Sequence, residues 1–392
     1  MASSVITPLH EDRVRVRRWE AADTTLEAVM AHLHELHREL THHDANEQEH
    51  PHPRNCVLNL VVAVDEQHRA TACDKLVAGL AASHPLRAIL IHLHGGKGQG
   101  TLDAAITSEA HQLVSGFPVQ REQVLLHVRG EAAHHLSSLV EPLLVGDIPT
   151  YLWWSGRHRL DEAIVQDAMG FSDALVVDSA RFDRPVDALL QLAALVADPK
   201  GSIGVADFRW SRMRPVRDAV SQFFGPAERR GLLDGLEELT VVATGTGPDD
   251  RGAAALLAGW MAAAMDWRFE APVTSGADAT EADAGTAAGH RVRVTLRSAP
   301  NERLHRGELQ RVLLAGRRGR RTFSLSLERD PGGDDHGHLE IVFDGGPPVR
   351  QRLSLARLGD PDALVHVLWA RPRDPVFDGA LRAATPLLEA MR

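Results

Sequence analysis

Nine side chains at the ends of three short apolar runs have the residue types for recognition chemistry. Ser155, Arg157 and His158 follow TYLWW; Asp178, Ser179 and Arg181 follow ALVV; Asp207, Arg209 and Trp210 follow IGVA. Arginine offers a planar fork of N–H donors that matches phosphate or carboxylate oxygens two at a time, so Arg157, Arg181 and Arg209 could clamp a small anion while Asp178 and Asp207 orient them. His158 is the one group of the set whose ordinary pKa suits a general base near neutral pH. The same residues have a plainer use, because Asp and Ser at strand-to-helix junctions cap the next helix and neighbouring arginines form surface ion pairs. Trp153, Trp154 and Trp210 add indole surface near the same strand ends, either as a docking patch or as core. Alternation along a strand turns only one of the adjacent Trp153 and Trp154 inward.

Other chemistry-bearing groups are less organised. Twenty-two histidines are spread along the chain, among them His32, His34 and His37, the runs His42-His43 and His134-His135, His50 and His52, and the pair His92 and His94. The last two share a strand face and could be two zinc ligands, but a zinc site needs a third and fourth ligand with support behind them, and HELH is not HExxH. Cys56 opens an apolar run, and Cys73 shares a helix face with Leu76, Val77 and Leu80, which predicts buried thiols. GGKGQG lacks the order GxxxxGK[ST], and GTGPDDRG departs from GxGxxG, although the amides near Thr246 and Gly247 open a helix and could hold an anion. Neither a metal nor a dinucleotide is expected. GRRGRR at 316–321 reads as a solvated hairpin turn, with a basic partner contact as the alternative.

Elements that would position these groups follow from the apolar periodicity. Leu26, Val29, Met30, Leu33, Leu36 and Leu40 make one stripe of a helix that Thr24 and Glu27 cap and that ends near Thr41. A polar, proline-containing stretch follows, so 1–53 reads as a helix plus linker. CVLNLVVAV is apolar on both alternating faces, as a central strand covered by helices is. Strands are then expected at 88–94, 107–114, 123–129, 150–154, 174–178, 203–206 and 239–243. Between them come helices at 71–83, 131–144, 161–169, 186–197, 214–224 and 252–267. Short connections and right-handed crossovers make this an open, mostly parallel α/β sheet flanked by helices over 54–269, possibly two halves with a break near 156. Loops beyond the carboxyl ends of such strands converge on a crevice, which is why the nine residues matter together. Residues 270–289 are poor in bulky apolar side chains and read as a flexible acidic linker. A smaller β-rich α+β domain fills 290–392, with amphipathic strands at 290–297, 308–314, 320–327 and 338–343 and helices at 362–370 and 377–391 covering the sheet.

Four blocks carry a resemblance: RGEAAHHLSSLVEPLL, PTYLWW, VDS, and DFRWSRMRPVRDAVSQFF. In order and approximate spacing they resemble the OpcA family of glucose-6-phosphate dehydrogenase assembly proteins, best over 55–267 and more loosely beyond. The resemblance implies a non-catalytic regulator that binds glucose-6-phosphate dehydrogenase and promotes its assembly and activity in the oxidative pentose phosphate pathway. It attributes no catalytic residues, so none are carried over.

Composition narrows the alternatives. The 392 residues with a formal charge of −10 are too long for one ordinary domain and disfavour nucleic acid, whose binding depends on clustered cations. No long apolar run or signal-peptide core appears, which predicts a cytoplasmic protein without membrane contact. Two rival functions stay open at this stage. One is a sugar-phosphate enzyme working through Arg157, Asp178, Asp207 and Arg209; the other is a sensor that binds a small anionic metabolite and reports it to the dehydrogenase.

Overall fold

A computed structural model describes residues 14–41, 56–81, 84–95, 98, 100–112, 118–199, 201, 203–287, 289–330, 332, 335–369 and 372–392. The chain divides into two compact units, one running to His158 and including Glu162–Asp173, the other comprising Arg159–Asp161 and Ala174–Arg392. The expected linker at 42–53 lies outside the described residues, as do Lys97 and Gln99 of the glycine-rich loop.

The first unit contains β1 (Val14–Ala21), α1 (Leu26–Thr41), β2 (Asn59–Val64), α2 (Gln67–Ala81), β3 (Arg87–His94), β4 (Thr101–Gln112), β5 (Pro118–Arg129), α3 (Leu136–Val140), β6 (Thr150–Trp154) and α4 (Ala163–Met169). Its strands lie in the order β1-β4-β5-β3-β2-β6. The pairs β5/β3, β3/β2 and β2/β6 are parallel, whereas β4 runs antiparallel to both β5 and β1. Every residue of β2 is buried, the mark of a strand covered on both faces. β1 was not foreseen: Val14–Ala21 has few apolar residues, and its position comes from pairing along β4. Val29, Leu33 and Leu36 of α1 are buried as the stripe requires, and the N-terminal amide of Ala28 is capped by Thr25, one residue later than expected. The helix expected at 131–144 is broken into a 3-10 turn, α3 and a second 3-10 turn, because His135 leaves helical geometry and Pro142 has no N–H to give.

A buried ion pair fixes the sheet's centre. Arg87 donates to Glu122 on the neighbouring strand through Nε at 2.9 Å and to the Leu143 carbonyl at 2.7 Å, with both side chains at or below 2% exposure.

The second unit contains β7 (Ala174–Val177), α5 (Pro185–Ala197), β8 (Gly204–Asp207), α6 (Phe208–Arg212), α7 (Arg214–Phe224), α8 (Ala227–Arg230), β9 (Leu236–Thr244), α9 (Gly252–Met265), β10 (Arg268–Ser275), β11 (Ala279–Gly285), β12 (Arg291–Ala299), β13 (Leu309–Arg318), β14 (Arg321–Arg329), β15 (His336–Phe343), β16 (Val349–Ser354), α10 (Asp360–Trp369) and α11 (Pro375–Met391). β7 and β8 are parallel neighbours. An eight-stranded sheet has the order β10-β11-β12-β9-β13-β14-β15-β16. Only β12/β9 is parallel within it, so β9 belongs to the C-terminal sheet and not to the parallel run in which it was expected.

The flexible linker expected at 270–289 is instead the hairpin β10–β11. Thr280, Ala282 and Ala284 are buried on one face of β11, an alternation hidden by alanine's weak strand preference. Arg251, fully buried, donates to the Thr280 hydroxyl at 3.0 Å and to the Gly276 and Ala277 carbonyls, pinning the hairpin from inside. α11 buries Phe377, Ala380, Leu381, Ala384, Leu387, Leu388 and Met391, a stripe at helical spacing. It packs on α9, α5 and β10, while α10 packs on α6. α9 turns Gly259 toward α11, so the two backbones come close there. A Cβ placed on Gly259 would lie 2.3 Å from the Ala380 carbonyl.

Candidate functional site

The nine strand-end residues fall into the two units, three in the first and six in the second. In the first, Ser155 is buried and continues the ladder, its amide donating to Ala63. Its hydroxyl accepts a long contact from the Cys73 thiol at 3.6 Å. Arg157 is two-thirds exposed; its amide donates to both Asp65 oxygens, at 2.8 and 3.0 Å, and its side chain pairs with Glu66. His158 donates through Nδ1 to the Glu162 carboxylate at 2.7 Å and lies 3.7 Å from Asp65, edge-on to Trp154. Arg157 and His158 are thus each met by a carboxylate from the same unit.

Helix capping and ion pairing both operate in the second unit. The Asp178 carboxylate accepts from the Ala180 amide and takes a two-point clamp from Arg212, at 2.9 and 2.8 Å. Arg181 reaches the same carboxylate at 2.9 Å. Asp360, the first residue of α10, accepts from Arg212 at 2.8 Å and from Arg181. Burial pushes the Asp360 carboxyl upward, but the Arg212 hydrogen bond and the charges of Arg181 and Arg212 outweigh it and hold it below the usual range. Asp207 is 1% exposed; one oxygen accepts from the Arg209 amide at 2.9 Å, capping α6, and from the Ser179 amide at 3.0 Å. Burial, reinforced by Asp178, raises its carboxyl above the ordinary range against the pull of Arg209.

Trp210 packs in the interior of the second unit. It is 4% exposed, its Nε1 donates to Asp374 at 3.0 Å, and its ring meets Phe377. The Arg217 guanidinium stacks 3.6 Å over the indole, and burial brings that group down to about 10 despite Asp374 and Asp218. Trp153 and Trp154 are likewise buried. Indole is large enough that burial of most of its surface is the ordinary outcome.

A cavity of about 430 Å³ opens beside Asp178 and Arg209, and six arginines line it: Arg181, Arg209, Arg212, Arg306, Arg329 and Arg357. Only the first two belong to the residues read from the strand ends. Arg212 stands on α6, Arg306 precedes β13, Arg329 ends β14 and Arg357 precedes α10, so the set is assembled from distant segments. One of them left a trace in the sequence: Phe323, Leu325, Leu327 and Arg329 alternate along β14, and all four are buried. An arginine in an inward register position is a signal that alternation alone can find. Arg306, Arg357 and Asp360 carried no such signal.

The turn GTGPDDRG is occupied by the chain itself. Asp250 accepts from the Thr246 and Gly247 amides at 2.8 and 3.1 Å, the groups that could have held an external anion, and pairs outward with Arg306. His92 contacts Asp74 at 2.9 Å, and His94 contacts His127 at 3.1 Å. Among the described residues no group of three His, Cys, Asp or Glu is placed to hold a metal ion, and His42, His43, His50 and His52 lie outside them. Cys56 and Cys73 are buried. In the basic hairpin turn, Arg317 pairs with Glu237 at 2.6 Å and Arg321 lies 3.6 Å from Asp344. Among the described residues no helix is long and apolar enough to cross a membrane.

Comparison with known proteins places this arrangement. Residues 77–194 match the family described as the glucose-6-phosphate dehydrogenase subunit N-terminal domain, and residues 203–381 match its C-terminal domain. The chain is similar to a protein of Synechocystis sp. named for the OxPP cycle, OpcA, with 26% identity over 197 residues, covering 48% of this chain and 38% of that one. It is also similar to the OpcA of Nostoc punctiforme, with 24% identity over 147 residues, covering 38% and 30%. The matched segments thus span well under half the length of these relatives. Among solved structures, KijD10, a 3-ketoreductase from Actinomadura kijaniata, superposes with a TM-score of 0.46 at 13% identity, covering 86% of this chain and 97% of that one; so distant a likeness carries no chemistry. With both of its domains matched across the two halves of the sequence, this chain belongs to the OpcA family.

Proposed function

We propose that this protein is a non-catalytic cytoplasmic regulator that binds glucose-6-phosphate dehydrogenase and favours its assembled, active state. The observation that carries the reading is the match of residues 77–194 and 203–381 to domains described as parts of a glucose-6-phosphate dehydrogenase subunit. The strand-to-helix turn after β9 supports it, since Asp250 already takes the amides that a dinucleotide phosphate would need. His158 supports it too: its nearest titratable partners are Glu162 and Asp65 of its own unit, an ion-pair setting and not a base aimed into a substrate cavity.

A regulator must distinguish the states of its target, because equal affinity for active and inactive dehydrogenase would shift nothing. A coupling of about 1 to 3 kcal/mol suffices for a change of roughly 5- to 150-fold. The test is a two-component assay with the cognate dehydrogenase. Adding this protein should raise the rate of NADP reduction or lower the KM for glucose 6-phosphate, with co-elution of a larger oligomer, while the protein alone reduces nothing. Unchanged kinetics with no co-elution would refute it.

A further inference from the structure

The six arginines of the second unit's cavity are too many for the carboxylates that face them. Arg212 is satisfied by Asp178 and Asp360, and Arg306 has Asp250. Arg329 and Arg357, by contrast, share one carboxylate, Glu308, at 3.6 and 3.2 Å. The Nε atoms of both are buried without a hydrogen-bond partner, as are Nε and Nη1 of Arg209. Arg209 and Arg329 are 4% and 5% exposed. Arg329 also donates to the Leu355 carbonyl and Arg357 to the Arg303 carbonyl at 3.1 Å, so part of each fork is engaged while the buried N–H groups left without an acceptor cost stability.

Arg209 is also placed where a cation is unwelcome. Its guanidinium lies over Gly252, the first residue of α9, so close that a Cβ there would sit 2.0 Å from Nη1. The N-terminal end of a helix carries partial positive charge and favours anions. Space for the guanidinium exists only because residue 252 is glycine, and Gly307, at φ +77, lines the other side.

We propose that this cavity binds a small phosphate monoester, its phosphate held by Arg209, Arg306, Arg329 and Arg357. A phosphate brings close to two negative charges and three strong acceptor oxygens, enough for several converging guanidinium forks, whereas a single carboxylate offers two oxygens. The carboxylates of Asp178, Glu308 and Asp360 that also line the cavity are engaged by its arginines, and an apolar stretch of wall, with Met213, Val216, Ala253, Leu309 and Leu358, suits the carbon body of a sugar-sized ester. The site differs from the strand-end crevice read from the sequence: it keeps Arg209 but draws Arg306, Arg329 and Arg357 from the β-rich half of the chain.

Calorimetric titration of the whole chain, with no dehydrogenase present, tests this independently of the regulator reading. The probes are glucose 6-phosphate, inorganic phosphate, glucose and citrate, each at matched ionic strength. Saturable binding of glucose 6-phosphate, with weaker phosphate and no glucose binding, is the expected result. Arg329→Gln should weaken it by about tenfold or more, the loss of one charged hydrogen-bonding fork. Because a buried variant can fail to fold, Arg306→Gln, whose side chain is 70% exposed, serves as the second arm and should also weaken binding. Arg317→Gln in the hairpin turn should change nothing. No binding of any phosphate probe at millimolar concentration, binding of citrate alone, or full affinity in a folded Arg306→Gln variant would overturn the assignment.

Discussion

Replacing Trp210 decides whether the DFRWSRMRP segment acts as a contact surface or as structural core. The indole joins three elements: it sits on α6, carries the stacked Arg217 of α7, and donates to Asp374, which caps α11 through the Val376 and Phe377 amides at 2.9 and 3.3 Å. Truncation to alanine removes a side chain that is 4% exposed, a class of change that costs about 3–5 kcal/mol. It also strands Arg217 and one Asp374 oxygen, so the upper end of that range is expected. Trp210→Phe keeps most of the ring but loses the bond to a carboxylate, worth about 1.5–3 kcal/mol. For a unit of this size each kcal/mol moves Tm by roughly 2–4 °C. Differential scanning calorimetry should therefore show a loss of about 8–20 °C for alanine and about 3–12 °C for phenylalanine. Stimulation of the dehydrogenase should fall only in proportion to the unfolded fraction. If Trp210→Ala keeps the wild-type Tm yet abolishes stimulation, the ring is a partner contact and the packing argument fails.

Gly259→Ala should destabilise the second unit even though alanine is the better helix former by about 1 kcal/mol. The new methyl meets the Ala380 carbonyl at 2.3 Å and Ala384 at 2.7 Å, and overpacking of this kind costs about 1–3 kcal/mol; a raised Tm would contradict the α9–α11 contact. The paired histidines give a pH effect. Burial first, with Arg129 and the neighbouring histidines adding to it and Asp103 opposing, holds His94 and His127 below the ordinary histidine range. The unfolded chain then takes up protons first, near pH 6.5. Their contribution to stability is therefore complete above that pH and declines as pH falls toward the lowered folded values. Tm measured from about pH 7 to about pH 5 should drop, and His127→Gln should flatten that slope; an identical slope in the variant would place the titrating group elsewhere.

Local pattern alone located most elements, because burial of a helix stripe or a covered strand leaves a period that short windows preserve. β6 and α7 lie where the periodicity put them, at Thr150–Trp154 and Arg214–Phe224. The blocks from Arg129 to Phe224 likewise carried the family resemblance in consecutive residues. What the chain's local pattern could not decide was partnership. Leu236–Thr244 reads as a buried strand in either sheet, and only its pairing with β12 and β13 assigns it to the second. Ala279–Gly285 reads as linker until β12 on one side and Arg251 beneath supply the order that its small side chains lack. The arginine cavity is the extreme case: Arg209, Arg306, Arg329 and Arg357 are up to 148 positions apart in the sequence. Charge clustering is a property of distance in space, and distance in space between remote segments is set by tertiary packing, which no window along the chain contains.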